Sequence, residues 1–147
     1  MRTLRGVTLW LALWRVAHDL ERVARADVAA LGLCLSDFAV LEALLHRGPQ
    51  PVSAIAETVM LTSGSMSTAV DRLEGRGLVR RAQDSRDARV RLVDLTPEGR
   101  ALIEPAYQAH AATMDASFAA LGEAERAELL KTLLALRRDT RQKEVSR

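Results

Sequence analysis

Apolar residues recur at helical spacing along most of the chain, and the period switches only once, past the middle. From about Thr8 to Ala30, the residues Trp10, Trp14, Ala17, Leu20, Ala24 and Val28 share one helix face, widened by Leu9, Leu13, Val16 and Val23. A second helix is predicted through Phe38, Leu41, Leu44 and Leu45. Ser36 is its expected N-cap, Leu35 and Val40 form a staple, and Gly48-Pro49-Gln50-Pro51 ends it. Val52 fits a short strand, and Ser53 is placed to cap a brief helix through Ile55, Ala56 and Val59. A tight connection at Leu61-Thr62 leads into another helix, from about Ser63 to Arg76. Met66, Val70 and Leu73 fall at spacings of four and three there and share its buried side.

The period then becomes two. Gly75-Arg76-Gly77 stops the helix, and Leu78 to Gln83 and Val90 to Leu95 read as strands of a hairpin. Thr96 is an N-cap with Pro97 in the first helical position and Glu98 in the first turn. A long helix follows with Leu102, Ile103, Ala106, Tyr107, His110, Met114, Phe118 and Leu121 at threes and fours. Gly122-Glu123-Ala124-Glu125 opens a last helix bearing Leu129, Leu130, Leu133, Leu134 and Leu136, and the charged tail from Arg137 is expected to fray. The predicted fold is mainly α with a small β-hairpin wing, a helix-turn-helix flanked by terminal helices.

Composition narrows this further. Aromatics make up only 3% of the 147 residues, so the core must be built from Leu, Val and Ala, which suits packed helices. The formal charge is only +2, so any affinity for nucleic acid must come from local clustering. Such a cluster exists: from Arg72 to Arg91 there are seven arginines against three acids, a local balance of +4. The single cysteine, Cys34, forms no intramolecular disulfide, and a reducing cytoplasm is the expected location. The apolar run Val7 to Trp14 follows a basic start but is cut by Arg15, too short for a membrane span and without a small-x-small cleavage site.

The turn Asp84-Ser85-Arg86-Asp87-Ala88-Arg89 alternates acid and base at the hairpin tip. A two-stranded ribbon tipped with arginine fits the DNA minor groove, whose negative potential attracts guanidinium groups, and Asp84 and Asp87 can hold the arginines in the absence of DNA. An incidental charged surface turn accounts equally well for those six residues alone. On the preceding helix Ser63, Ser65, Ser67, Thr68 and Arg72 lie off the apolar stripe, and small hydroxyls near a helix N-terminus allow close approach to phosphates and base edges.

Taken together, the helix-turn-helix at Ser53 to Arg76, its end Asp71-Arg72-Leu73-Glu74-Gly75-Arg76-Gly77-Leu78-Val79, the wing Asp84-x-Arg86-Asp87-x-Arg89 and the exit Leu95-Thr96-Pro97-Glu98-Gly99 resemble the MarR family of bacterial transcriptional regulators, from Leu9 to Arg138. The resemblance implies a homodimer of intertwined terminal helices whose two winged helices bind palindromic double-stranded DNA. Dimerisation segments are then expected at residues 1–34 and 97–147, with the DNA-binding domain at 35–96. It further implies Arg86 in the minor groove, with Arg89 and Asp84 bracing the wing, and release of DNA by a small ligand, an oxidant or another signal. A repressor is the expected role; a winged-helix protein-interaction module without DNA binding is the alternative.

Several residues keep two readings. Arg72 either supports the wing or pairs with Asp71 and Glu74 in solvent. Trp10 and Trp14 serve dimer packing or, with His110, wall a pocket for an aromatic acid or similar planar anion. Cys34 lies at a helix junction, away from the first-helix position of the family's peroxide sensors, which favours an idle thiol. His18, His46 and His110 lack metal-ligand spacing, so no metal or cofactor is expected. No Gly-x-Ser-x-Gly elbow or phosphate loop is present, which argues against an enzyme.

Overall fold

The computed structural model describes residues 5–60 and 62–145. In chain order the elements are α1 (Gly6–Ala29), α2 (Leu35–Arg47), β1 (Gln50–Pro51), α3 (Val52–Val59), α4 (Ser63–Gly75), β2 (Val79–Gln83), β3 (Arg91–Leu95), α5 (Pro97–Ser117) and α6 (Glu123–Val145). The strands form one antiparallel sheet in the order β1-β3-β2, with Val79 opposite Leu95 at the base of the hairpin and Gln83 opposite Arg91 next to its turn. This is the mainly helical fold with a small β wing that the periodicity predicted.

The chain divides into two units, Met1–Ala112 and Thr113–Arg147, with the boundary inside α5. The core of the first unit gathers Val28 of α1, Phe38, Leu41 and Leu44 of α2, Ile55 of α3, Met66, Val70 and Leu73 of α4, Val93 of β3 and Ile103 of α5. The end of α1 and the start of α5 are therefore built into the winged-helix core. In the second unit Arg126 of α6 donates to the carbonyls of Asp115, Phe118 and Leu121, closing the end of α5 at 3.0 to 3.2 Å.

Local chemistry moves several boundaries from their expected places. Helix α2 starts one residue before Ser36, with Cys34 at the N-cap and no side-chain capping bond. The short strand is Gln50–Pro51 and not Val52: Pro51, at φ −63° and ψ 150°, is extended, pairs with Leu92, and takes the N-cap position that Ser53 was expected to hold. Met60 ends α3 in the left-handed conformation at φ 59°, a stop that no glycine signalled. Gly64 is absorbed into α4 because Thr62 caps that helix, accepting from the Ser65 backbone N–H at 3.2 Å. Helix α5 stops at Ser117, before Phe118 and Leu121, where i to i+3 bonds and Arg126 take over its carbonyls. The charged tail does not fray at Arg137: α6 continues to Val145, carried by helix-forming Arg, Lys, Glu and Gln side chains.

One contact fixes the base of the wing. Thr96 caps α5 by accepting from the Gly99 N–H at 3.0 Å, and its hydroxyl donates to the Gly77 carbonyl at 2.6 Å. The Thr96 N–H also donates to the Leu78 carbonyl. Gly77, at φ 71°, turns the chain from α4 into β2. The exit of the hairpin is thereby tied to its entry.

Candidate nucleic-acid interface and adjacent cleft

Helix α4 buries Met66, Ala69, Val70 and Leu73 and exposes Ser65, Ser67 and Thr68. The Thr68 hydroxyl donates to the Gly64 carbonyl at 3.0 Å, and the Thr62 hydroxyl donates to Ser65 Oγ at 3.0 Å. Each hydroxyl oxygen keeps acceptor capacity, so this surface can take hydrogen bonds from base edges as well as sit close to a phosphate chain. The Ser63 side chain and Leu61 lie outside the described residues.

At the wing, both acids shape the turn through its backbone. Asp84 accepts from the Arg86 N–H at 2.8 Å, and Asp87 accepts from the Arg89 N–H at 3.0 Å. Asp87 also takes the Arg89 Nε at 3.1 Å, and that hydrogen bond holds its carboxyl below the usual carboxylate range. Asp84 therefore holds the backbone of Arg86 and not its side chain. The Arg86 guanidinium is exposed and has no acidic partner among the described residues.

The seven-arginine cluster separates into two groups. Arg72, Arg76, Arg80, Arg81 and Arg89 have partners within the chain, while Arg86 and Arg91 have no ion pair among the described residues. Arg72 takes neither expected role: its Nε lies 3.0 and 3.1 Å from the two carboxylate oxygens of Asp37, a residue only 2% exposed on α2. Those hydrogen bonds raise the Arg72 pKa above its ordinary value. Asp71 and Glu74 are instead occupied by Arg81 of β2. Arg76 donates to the Gly32 carbonyl at 2.8 Å, tying the end of α4 to the α1–α2 junction.

Sequence reasoning missed Asp37 and Arg81. Asp37 left a trace, an acid beside Phe38 at the start of the apolar run Leu35 to Leu45, but its partner lies 35 residues away and no local period reveals it.

A cleft of about 450 Å³ opens between α1, α2 and α5, lined by Glu21, Arg25, Cys34, Phe38, Glu42 and His110 among others. His110 Nδ1 lies 3.1 Å from Asp27 Oδ2, and its ring meets Phe38 edge-on with centroids 5.0 Å apart. Trp10 and Trp14 do not join His110 there. They stand on the apolar face of α1, 62% and 55% exposed, with Trp14 stacked on His18. Cys34 is exposed at the cleft edge, 3.0 Å from Ser36 Oγ and 3.5 Å from an Arg72 nitrogen. Among the described residues no group of three His, Cys, Asp or Glu side chains is placed to hold a metal ion, and no helix is long and apolar enough to cross a membrane.

A profile described as the MarR family matches residues 33–90, from the α1–α2 junction to the last residue before β3. The HTH-type transcriptional regulator MhqR of Bacillus subtilis is 32% identical over 123 residues, which cover 84% of this chain and 85% of that protein. The crystal structure of AbsC, a MarR family transcriptional regulator from Streptomyces coelicolor, shares the fold at a TM-score of 0.84. It is 24% identical, with 97% of this chain and 99% of AbsC covered. An organohalide-sensing transcriptional regulator crystallised with bound 2,4-dichlorophenol superposes at a TM-score of 0.81 and 26% identity, covering 94% of this chain and 83% of that one. With these matches running through the helix-turn-helix, the wing and both flanking segments, the chain belongs to the MarR family of DNA-binding transcriptional regulators.

Proposed function

We propose that the protein is a repressor that binds an inverted-repeat operator as a homodimer. Helix α4 enters the major groove with Ser63, Ser65, Ser67 and Thr68, and Arg86 of each wing enters the flanking minor groove. The observation that carries this reading is the division of the arginines: most are spent on holding the winged helix together, and Arg86, at the wing tip, is left without an acidic partner among the described residues. Arg89 and Asp87 preset the turn, and Arg72 acts by fixing α4 to α2 instead of by reaching DNA. Residues 1–34 and 97–147 supply the dimer contacts. Each unit supports this with an exposed apolar face: Leu9, Trp10, Leu13 and Trp14 in one, Leu129, Leu130, Leu133 and Leu134 in the other. Half-sites lie about one helical turn apart, roughly 10 base pairs, so that paired recognition helices meet one face of the duplex.

Arg86→Ala tests the reading. Titrated against a duplex selected from a random pool by the wild-type protein, the variant is expected to bind at least about tenfold more weakly. Its log-log salt slope should be shallower by about 0.9 for each phosphate that it no longer neutralises. Base preference within the half-sites should persist, because the wing senses groove width and charge while α4 reads base edges. Unchanged affinity and slope would show that the wing stays out of the groove.

The cleft beside His110 is the proposed effector site, in line with the phenol bound by the organohalide-sensing relative. Its lining supports a different ligand from the planar anion expected above. Arg25 is already engaged by Glu21, and Glu42 adds a second carboxylate, so a carboxylate ligand meets net negative charge while an uncharged ring with hydroxyl groups finds Phe38 to pack on and His110 to bond. The effector is a planar phenol in preference to an aromatic acid. Release of DNA requires tighter binding to a form of the dimer that mismatches the operator. Phenols and benzoates of matched ring substitution, compared by calorimetry and by operator release, should differ in favour of the phenols. Tighter binding of the benzoates would return the site to an anion.

A further inference from the structure

We infer that Arg81 is a positioning residue that locks the wing to the recognition helix, so that α4 and the hairpin meet DNA as one rigid piece. Arg81 lies on β2 opposite the buried Val93, and its side chain is only 23% exposed. Its Nη2 donates to Asp71 Oδ1 at 2.6 Å, and its Nη1 donates to the Glu74 carboxylate. The Arg81 backbone N–H also donates to Glu74 Oε1 at 3.2 Å. Asp71 and Glu74 are one turn apart on α4, so a single planar guanidinium spans two points along the recognition helix. Burial opposes the charge on Arg81, but the hydrogen bonds to the two acids outweigh it and raise its pKa.

The position of this clamp explains why it is needed. The connection from α4 to β2 passes through Gly77 at positive φ, a natural pivot, and β1 pairs with β3 over only two residues. A two-stranded ribbon on such a joint can swing relative to α4. Wing and helix must nevertheless enter neighbouring grooves simultaneously, and freezing their angle before binding removes that ordering cost from the complex. Arg81 thus serves DNA binding without touching DNA, and the two acids beside it, unfavourable neighbours for phosphate, are retained because they hold it. This inference rests on the proposed entry of the wing into the minor groove.

The duplex selected by the wild-type protein serves as the probe, with Arg86→Ala titrated alongside. Arg81→Gln should weaken binding about tenfold with an unchanged salt slope, since the number of phosphates neutralised stays the same. Hydroxyl-radical protection should fade in the flanks and persist at the centres of the half-sites. Arg81→Lys should recover part of the affinity. The double variant Asp71→Asn, Glu74→Gln should also bind more weakly, although it removes two negative charges from the DNA-facing side. A slope shallower by about 0.9 in Arg81→Gln would mean that Arg81 neutralises a phosphate, and tighter binding by the acid-neutralised variant would overturn the clamp. Equal binding by Arg81→Gln with a lowered melting temperature would reduce the residue to a stabiliser of the fold. Were Arg86→Ala also to bind as the wild type, the wing reading would fail; were Arg86→Ala impaired and Arg81→Gln not, only the clamp would fail.

Discussion

Replacing Gly99 by alanine is expected to destabilise the protein by about 3 kcal/mol, a fall of roughly 10 °C in melting temperature. Local propensity predicts the opposite sign, because alanine in place of glycine ordinarily stabilises a helix by about 1 kcal/mol. The tertiary contact decides. A Cβ at position 99 would lie 1.9 Å from the Leu78 carbonyl oxygen and 2.9 Å from its carbon, both backbone atoms that no rotamer change can move aside. Relief requires α5 to back away from the base of the wing, which breaks the Thr96 bonds to Gly77 and Leu78. DNA binding should suffer with stability, since the same bonds hold the hairpin's entry to its exit. Thermal unfolding of Gly99→Ala checks this, and a variant as stable as the wild type would mean that the helix start adjusts at little cost.

The second large effect concerns assembly. The Trp10→Glu, Trp14→Glu double variant is expected to weaken the homodimer at least about a thousandfold. Each exposed indole has on the order of 100 Å² left to bury, about 2.5 kcal/mol at 25 cal/mol/Å², and two-fold symmetry counts every change twice. Imperfect burial lowers the total and still leaves more than the ~4 kcal/mol that a thousandfold requires. Light scattering should give twice the 16.1 kDa chain mass for the wild type and the single mass for the variant. Operator binding should fall in parallel, because a monomer holds one half-site. Unchanged helical content by circular dichroism separates this outcome from unfolding. A double variant that remains dimeric would assign both indoles to another role, and a monomeric wild type would remove the dimer from the proposed function.

The phenol preference and the Arg81 clamp are smaller effects that arise from relations no sequence period carries. In the cleft, residues of α1, α2 and α5 are brought together across long stretches of chain, and the contact between Asp27 and His110 spans 83 residues. The tryptophans illustrate the same limit. Their helical spacing correctly put them on one apolar face, yet that face is not the wall of the cleft that holds His110.

The order and kind of the elements were legible in the sequence, because helix, turn and hairpin are written in local periods, glycines and caps: the Met66, Val70 and Leu73 stripe and the Thr96-Pro97 start have the environment their spacing predicted, whereas at the wing Asp87 holds the Arg89 side chain and Asp84 only the Arg86 backbone. The structure decided how charges are paired. Arg72 has acids at positions 71 and 74, but at spacings of one and two they stand on other faces of α4; it pairs with Asp37, and those acids turn to Arg81. Sequence neighbours on an exposed helix gain little from pairing, whereas a buried carboxylate such as Asp37 must be matched by whatever cation the packing brings to it. Element boundaries followed the same logic. The end of α5 depends on Arg126 reaching back to its last carbonyls, and the strand at Pro51 on an edge offered by β3, so each was settled by a partner distant in sequence.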